Sequence, residues 1–272
     1  MHQNSYFMTQ FLSISAILFY SFGIVYYLLN FFGKISLRPF LSLLIGILSL
    51  GCHIGFDYQL IVIQGGIDLS FFKSAVTIAW VVVLFSAFIS VRKSLPGMMI
   101  VPYSIAVLAI FSALIAHPVH TASINTNNGL LAHILFSVTA YSVFTLAAIQ
   151  AALLYYQTRM LKTHFNSPII KSLPPLQTME TILFEMLYSG VALLSIAIIL
   201  GFLFVDNLFA QRLAHKTVFS LISLSLFSVL VIGHKVAGWR GATASRWTLA
   251  GCAFLMLGYF GSKFVIQILL GK

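Results

Sequence analysis

The stretch Lys216–Gly241, KTVFSLISLSLFSVLVIGHKVAGWRG, contains the features around which the rest of the chain is organised. It begins with a lysine and continues as an apolar run just long enough to cross a bilayer. It ends with His234 and a short basic turn that closes at Gly241. Because about 20 apolar residues span the hydrocarbon core, this stretch predicts a membrane-spanning helix with a histidine near one end.

The composition assigns the whole chain to the same class. Of its 272 residues, 60% are hydrophobic and 7% are charged, and the mean hydropathy is +1.01. Soluble domains carry roughly 25% charged residues, so we predict an integral membrane protein. The net charge of +10 comes from cations scattered through short loops, without a basic helix. It therefore indicates membrane orientation and not nucleic-acid binding.

Eight apolar runs are long enough to cross a membrane, and they predict an all-α, polytopic bundle that forms one transmembrane domain over residues 1–272. The predicted spans are roughly Phe7–Phe32, Phe40–Phe56, Leu69–Val91, Met98–Ala116, Gly129–Tyr156, Thr181–Val205, Thr217–Gly233 and Trp247–Leu270. Basic residues concentrate in alternate loops, which are expected to be cytoplasmic. We therefore predict a multi-pass protein of the bacterial cytoplasmic (inner) membrane, in contact with the lipid bilayer and with both termini extracytoplasmic.

Acidic residues are scarce, and most are expected outside the spans. Asp57, Asp68 and Asp206 are expected in outer loops and Glu180 in an inner loop, so that only Glu185 enters a helix. Ion-coupled transporters usually carry buried carboxylates near the middle of the membrane. The expected positions therefore weigh against a transporter.

Three of the eight histidines, His53, His133 and His234, lie within or at the edges of predicted spans. Ionisable side chains at that depth are costly and usually face the bundle interior. Each could hydrogen-bond a neighbouring helix, but three on separate helices of a carboxylate-poor bundle favour ligation. Zinc would recruit Cys, Asp or Glu side chains as well, whereas haem needs one or two axial histidines and cations for its propionates. Haem is therefore the predicted cofactor.

The predicted cofactor is haem b, bound without covalent attachment, since the sequence has no CxxCH segment. By the predicted topology, His53 ends the second span and His133 begins the fifth, both at the outer side. His234 lies at the cytoplasmic side, most of the bilayer away. His53 with His133 is therefore the easier pair of ligands. Arg212 and Lys216 are plausible partners for the propionates on the outer face.

Four segments resemble the cytochrome c assembly protein superfamily. They are LLAHILFSVTAYSVF (Leu130–Phe144), LPPLQTMETILF (Leu173–Phe184), GHKVAGWRG (Gly233–Gly241) and LGYFGSK (Leu257–Lys263). The match looks best with the short YpjD/HemX-like branch, which is related to the CcsA and CcmC haem-handling proteins, over roughly residues 60–270. The resemblance implies a role in cytochrome c biogenesis beside other biogenesis proteins or apocytochrome, and we expect no catalytic turnover by this chain.

The resemblance also implies roles for individual residues. His133 matches the histidine that opens the helix after the outer loop, an external haem ligand in CcsA-like proteins. His234 matches a transmembrane haem ligand, and His53 is a plausible second ligand within the membrane. Lys216 matches the lysine just after the tryptophan-rich haem loop, but no tryptophan lies between Val205 and Lys216. The missing loop favours haem binding, transfer or regulation over a complete lyase.

Two other classes of function remain open from the sequence. A small-solute transporter or channel would use the histidines to line a polar path. A non-catalytic membrane scaffold would bind partners without any cofactor. Haem absorbance of the purified protein distinguishes the predicted haem-binding function from both alternatives.

Overall fold

The computed structural model describes residues 2–63, 66–93, 96–116, 127–163, 173–205, 211–261 and 264. This part of the chain contains eight α-helices, which confirms the all-helical prediction. They are α1 (His2–Phe31), α2 (Pro39–Ile61), α3 (Phe71–Lys93), α4 (Ile100–Ile115), α5 (Asn128–Thr163), α6 (Leu176–Phe204), α7 (Gln211–Ala237) and α8 (Gly241–Met256). A short antiparallel hairpin of β1 (Val62–Ile63) and β2 (Gly66–Ile67), which the sequence did not predict, follows α2.

Within the described ranges, seven of these helices are long and apolar enough to cross a membrane. The eighth, α8, has 16 residues and continues into a π-helical turn, Leu257–Gly261. Most of the predicted eighth span beyond that turn falls outside the described residues. Large apolar side chains are exposed on the helices, such as Phe40 at 76% and Val91 at 78%. Such surfaces suit contact with lipid chains.

The chain divides into two compact units, residues 1–126 with 271–272, and residues 127–270. Within the described residues, each unit is a closed ring of four helices. In the first, α1 and α3 each pack against α2 and α4; in the second, α5 and α7 each pack against α6 and α8. The prediction of one transmembrane domain over residues 1–272 stays a prediction.

Two stacked phenylalanines fill the centre of the second unit. The rings of Phe144 on α5 and Phe227 on α7 have centroids 3.9 Å apart and planes within 8° of each other. A Cβ added at Gly190 on α6 would lie 2.8 Å from the Phe144 ring, and one at Gly251 on α8 would lie 2.5 Å from the Phe227 ring. Glycine on both sides therefore lets all four helices close around the stack.

Two acidic residues occupy helices instead of loops, so the sequence predictions for them were wrong. The α2 helix continues past Phe56, and Asp57 is 3% exposed, with its Oδ1 atom 3.1 Å from the donating hydroxyl of Thr77. The α6 helix begins directly after Pro175, which places Glu180 in its second turn. Hydropathy falls at a carboxylate and therefore predicts the end of an apolar span there. A helix continues as long as its backbone hydrogen bonds form.

Candidate functional site

His133 lies near the start of α5 and is fixed by the antiparallel helix α6. Its Nδ1 atom is 2.8 Å from the carbonyl oxygen of Ala197. A carbonyl oxygen only accepts hydrogen bonds, so Nδ1 carries the proton and Nε2 keeps its lone pair. The ring packs over Gly201, where an added Cβ would lie 3.0 Å from Cε1 of the histidine. Since the side chain is also partly exposed, Nε2 is a candidate ligand atom.

His234 lies in the last turn of α7, and its Nδ1 atom, like that of His133, contacts a backbone carbonyl oxygen. Its Nδ1 atom is 2.9 Å from the carbonyl oxygen of Trp239 in the following turn. By the same reasoning Nδ1 is protonated and Nε2 keeps its lone pair. Phe184 of α6 stacks on the imidazole, with centroids 3.5 Å apart and planes within 15°. The ring plane and the proton position are thus both fixed by neighbours.

The turn between α7 and α8 supports that hydrogen bond. Gly238 directly follows α7 with φ of +65°, and Gly241 begins α8 with φ of +53°. Both lie in the left-handed region that favours glycine. The Trp239 ring covers Gly233, where a Cβ would lie 2.6 Å from a ring carbon, and the backbone N–H of Trp239 donates to the Gly233 carbonyl over 3.2 Å. The GHKVAGWRG segment therefore holds Trp239 against the last turn of α7.

Residues that the sequence analysis did not select complete the surroundings of His234. Glu180 accepts the backbone N–H of Gly241 at its Oε1 atom over 2.8 Å. A groove of about 290 Å³ next to His234 is lined by Glu180, Glu185 and Arg240, among others. The LPPLQTME segment contributed to the family resemblance, but nothing in it indicates a partner 61 residues away. Only the folded arrangement brings these charges together.

His133 and His234 lie at opposite ends of the second unit. Their contacts on α6 are Ala197 and Phe184, which are 13 residues apart. At ~1.5 Å per residue this separation is about 20 Å along the helix. Two axial nitrogens on one iron are only ~4 Å apart, or twice a metal–nitrogen bond. The two histidines therefore cannot ligate the same haem, in agreement with the sequence reasoning.

His53, the third predicted ligand, belongs to the first unit and is 0% exposed. Its Nδ1 atom is 2.9 Å from the Tyr20 hydroxyl, and the two rings pack edge to face. Among the described residues Nε2 has no hydrogen bond of normal geometry, and the Val76 backbone lies beside the ring. The placement of His53 at the helix end was wrong, because α2 runs on to Ile61. Its pairing with His133 stays a prediction.

Lys216, a predicted propionate partner, lies in α7 with its Nζ atom 5.6 Å from the centroid of Tyr259. The Tyr259 ring also packs against Tyr141 of α5, with centroids 5.3 Å apart. Lys216 is thus near the level of Tyr141. His133 lies eight residues before Tyr141 on α5, towards the same end of the unit as Lys216. Arg212 lies in the first turn of α7, and its side chain falls outside the described part of the structure.

The chemistry of the two rings in the second unit fits axial ligation of haem iron. Metal-ligating histidines almost always donate their other ring N–H to a carbonyl, carboxylate or water, and both His133 and His234 donate to a carbonyl. Within the described ranges no three His, Cys, Asp or Glu side chains are grouped to hold a metal ion. Each of the two histidines therefore offers one ring nitrogen, Nε2, as a candidate ligand atom.

Comparison with known proteins confirms the family resemblance. The family model described as Cytochrome C assembly protein matches residues 41–270, so the match begins before the expected residue 60. Inner membrane protein YpjD of Escherichia coli (strain K12) is 30% identical over 178 residues, which cover 64% of this chain and 66% of that protein. No solved structure matches the chain.

Two further relatives match over shorter regions. The "Uncharacterized 28.8 kDa protein in nifR3-like 5'region" of Azospirillum brasilense is 33% identical over 141 residues, 51% of this chain and 52% of that protein. Protein HemX of Brevibacillus brevis is 28% identical over 142 residues, 52% of each chain. The matched regions thus span about two thirds of YpjD and about half of the other two. Since the family match covers most of the sequence, the chain belongs to the cytochrome c assembly protein family.

Proposed function

We propose that this protein binds haem b in the bacterial inner membrane and acts in cytochrome c biogenesis by binding, transferring or regulating haem rather than as a complete lyase. One observation carries the proposal. His133 and His234 each donate Nδ1–H to a carbonyl oxygen, at 2.8 and 2.9 Å, which leaves Nε2 of each ring for iron. Family membership supports the biogenesis context, and the similarity to an inner membrane protein supports the location.

The proposed topology has eight membrane-spanning helices and both termini extracytoplasmic. It puts His133 at the outer side, where Lys216 and Arg212 would neutralise the haem propionates. It puts His234 at the cytoplasmic side, with a separate haem or a separate stage of haem handling. His53 is the weaker candidate ligand because its ring is enclosed. The partners would be other cytochrome c biogenesis proteins or apocytochrome, with no catalytic turnover by this chain itself.

An absorption spectrum of the purified protein tests haem binding directly. In mild detergent, as isolated or after addition of hemin, we expect a Soret band and a b-type pyridine haemochrome. Alanine at His133 or His234 should lower the haem content at unchanged protein yield. Alanine at His215, an exposed histidine at the start of α7, should leave it unchanged. A colourless preparation that hemin cannot reconstitute would contradict the proposal.

One observation favours a transporter or channel as a second candidate. Asp57 is buried in α2 one turn after His53, and residues four apart lie on one helix face. Ionisable pairs within membrane helices often mark ion or solute pathways. Proton or solute flux into proteoliposomes that Asp57→Asn abolishes would support this function. A scaffold without a cofactor predicts neither haem absorbance nor flux.

A further inference from the structure

Glu180 supports the surroundings of His234 from a different helix. Its Oε1 atom accepts the backbone N–H of Gly241 over 2.8 Å, which joins the second turn of α6 to the first residue of α8. A carboxylate at a helix N-terminus also complements the helix dipole. We propose that Glu180 is a positioning residue that determines which ring nitrogen of His234 is available to bind a ligand.

The effect passes through the backbone of the turn. Glu180 holds the peptide group between Arg240 and Gly241, and the preceding peptide group carries the Trp239 carbonyl that accepts the imidazole proton over 2.9 Å. The turn lies between Gly238 and Gly241, which both have positive φ. Glycine has the widest conformational freedom of any residue. Without an anchor at Gly241, the peptide group that carries the carbonyl can rotate away from the ring.

The same face of α6 also holds the ring itself. Phe184 follows Glu180 by four residues, one helical turn along the same face, and stacks on His234 with a centroid distance of 3.5 Å. The α6 helix therefore fixes the ring plane through Phe184 and the proton position through Glu180. The contact with Gly241 thus joins two helices that are far apart in the sequence, with its two partners 61 residues apart.

Without the hydrogen bond to the Trp239 carbonyl, the imidazole proton of His234 would no longer be held on Nδ1. A neutral imidazole in water favours the form with the proton on Nε2, and in that form Nε2 has no lone pair for a metal. Glu180 would therefore control ligation by His234 without supplying a ligand atom. The identity of the ligand as haem iron rests on the proposed function, whereas the position of the proton does not.

Nuclear magnetic resonance of the full-length protein in detergent tests the proton position. With nitrogen-15-labelled histidine, long-range correlations between ring protons and ring nitrogens report which nitrogen is protonated. The signals of His234 are those that disappear in His234→Gln. Glu180→Gln keeps an acceptor oxygen at the same reach and removes the charge, whereas Glu180→Asp keeps the charge and shortens the reach by one methylene. Glu185→Ala removes a second carboxylate from the same groove and is the control.

We expect the Nδ1-protonated form alone in the wild type, Glu180→Gln and Glu185→Ala. In Glu180→Asp and Glu180→Ala the Nε2-protonated form should appear, with the signals of His133 unchanged. Wild-type spectra in Glu180→Asp and Glu180→Ala would overturn the proposal. So would a shift in Glu180→Gln or Glu185→Ala as large as that in Glu180→Asp. If Glu180→Ala fails to fold, the comparison of Glu180→Gln with Glu180→Asp decides alone.

Haem titration separates this inference from the proposed function. Where hemin binds, Glu180→Asp should lower occupancy of the site that depends on His234 and leave the site that depends on His133 unchanged. Glu180→Gln should retain both. If the wild type binds no hemin, the proposed function fails, but the proton position of His234 still tests the role of Glu180.

Discussion

Replacing His133 and His234 by alanine, singly and together, tests whether the two rings serve one haem or two. Along α6 their contacts, Ala197 and Phe184, are 13 residues apart, which is about 20 Å. A single iron can bridge only ~4 Å between two axial nitrogens. The mismatch of roughly 16 Å, some three helical turns, is too large for side-chain rotation to close. Each ring should therefore bind independently of the other.

The assay is the haem content per protein after saturation with hemin, measured as the pyridine haemochrome. Each single variant should lose only the haem of its own site and keep a b-type spectrum, and the double variant should lose both. The difference spectra of the two single variants should add up to that of the double variant. If either single substitution removed all bound haem, one iron would be held by both rings, and the distance argument along α6 would be refuted. His215→Ala controls for the loss of an exposed histidine.

Three glycine substitutions, one of them a control, test the packing that holds the site. Gly251→Ala would bring Cβ to 2.5 Å from the Phe227 ring, so it should lower the free energy of unfolding in detergent by about 1–3 kcal/mol. A Cβ at Gly51 would meet nothing within 4 Å, so Gly51→Ala should raise the free energy of unfolding by up to about 1 kcal/mol. Equal effects of Gly251→Ala and Gly51→Ala would contradict this account of the packing. Gly201→Ala would bring Cβ to 3.0 Å from the His133 ring and should lower haem occupancy at that site while the unfolding free energy changes little. Unchanged occupancy would show that the ring does not depend on this contact.

Apolar run length predicted the eight helices of the described residues, and their order, because it is a property of consecutive residues. It placed their ends less well. The α5 helix runs to Thr163, beyond the predicted Tyr156, because a helix continues through residues such as Arg159 as long as its backbone bonds form. Asp57 and Glu180 were assigned to loops for the same reason. Enclosing a carboxylate between helices requires hydrogen-bond donors from elsewhere in the chain, here the Thr77 hydroxyl for Asp57 and the Gly241 N–H for Glu180.

The histidines could be selected from sequence because an ionisable group in an apolar run is itself a signal. Their partners could not, since His133 and His234 donate to backbone carbonyls, and every residue has one. The contact of Tyr20 with His53 spans 33 residues, with no local pattern to indicate it. Residue type therefore selected the candidate histidines from the sequence. Their partners depend on helix register and could not be predicted, and the depth of His53 was wrong because α2 continues to Ile61.

The α6 helix sets the relation between the two histidines, and this limits how haem could move between them. Gly190 lies on α6 six residues after Phe184, which contacts His234, and seven before Ala197, which contacts His133. It is therefore about 9–10 Å along the helix from the level of each histidine. At Gly190 the stacked rings of Phe144 and Phe227 fill the middle of the four-helix unit. A haem could pass through the middle only if the rings and the helices around them separated. If haem binds at both levels as proposed, the stack would close the middle of this unit to it and leave the outside, where α7 and α8 expose apolar side chains and a groove of about 440 Å³ lies beside Trp247.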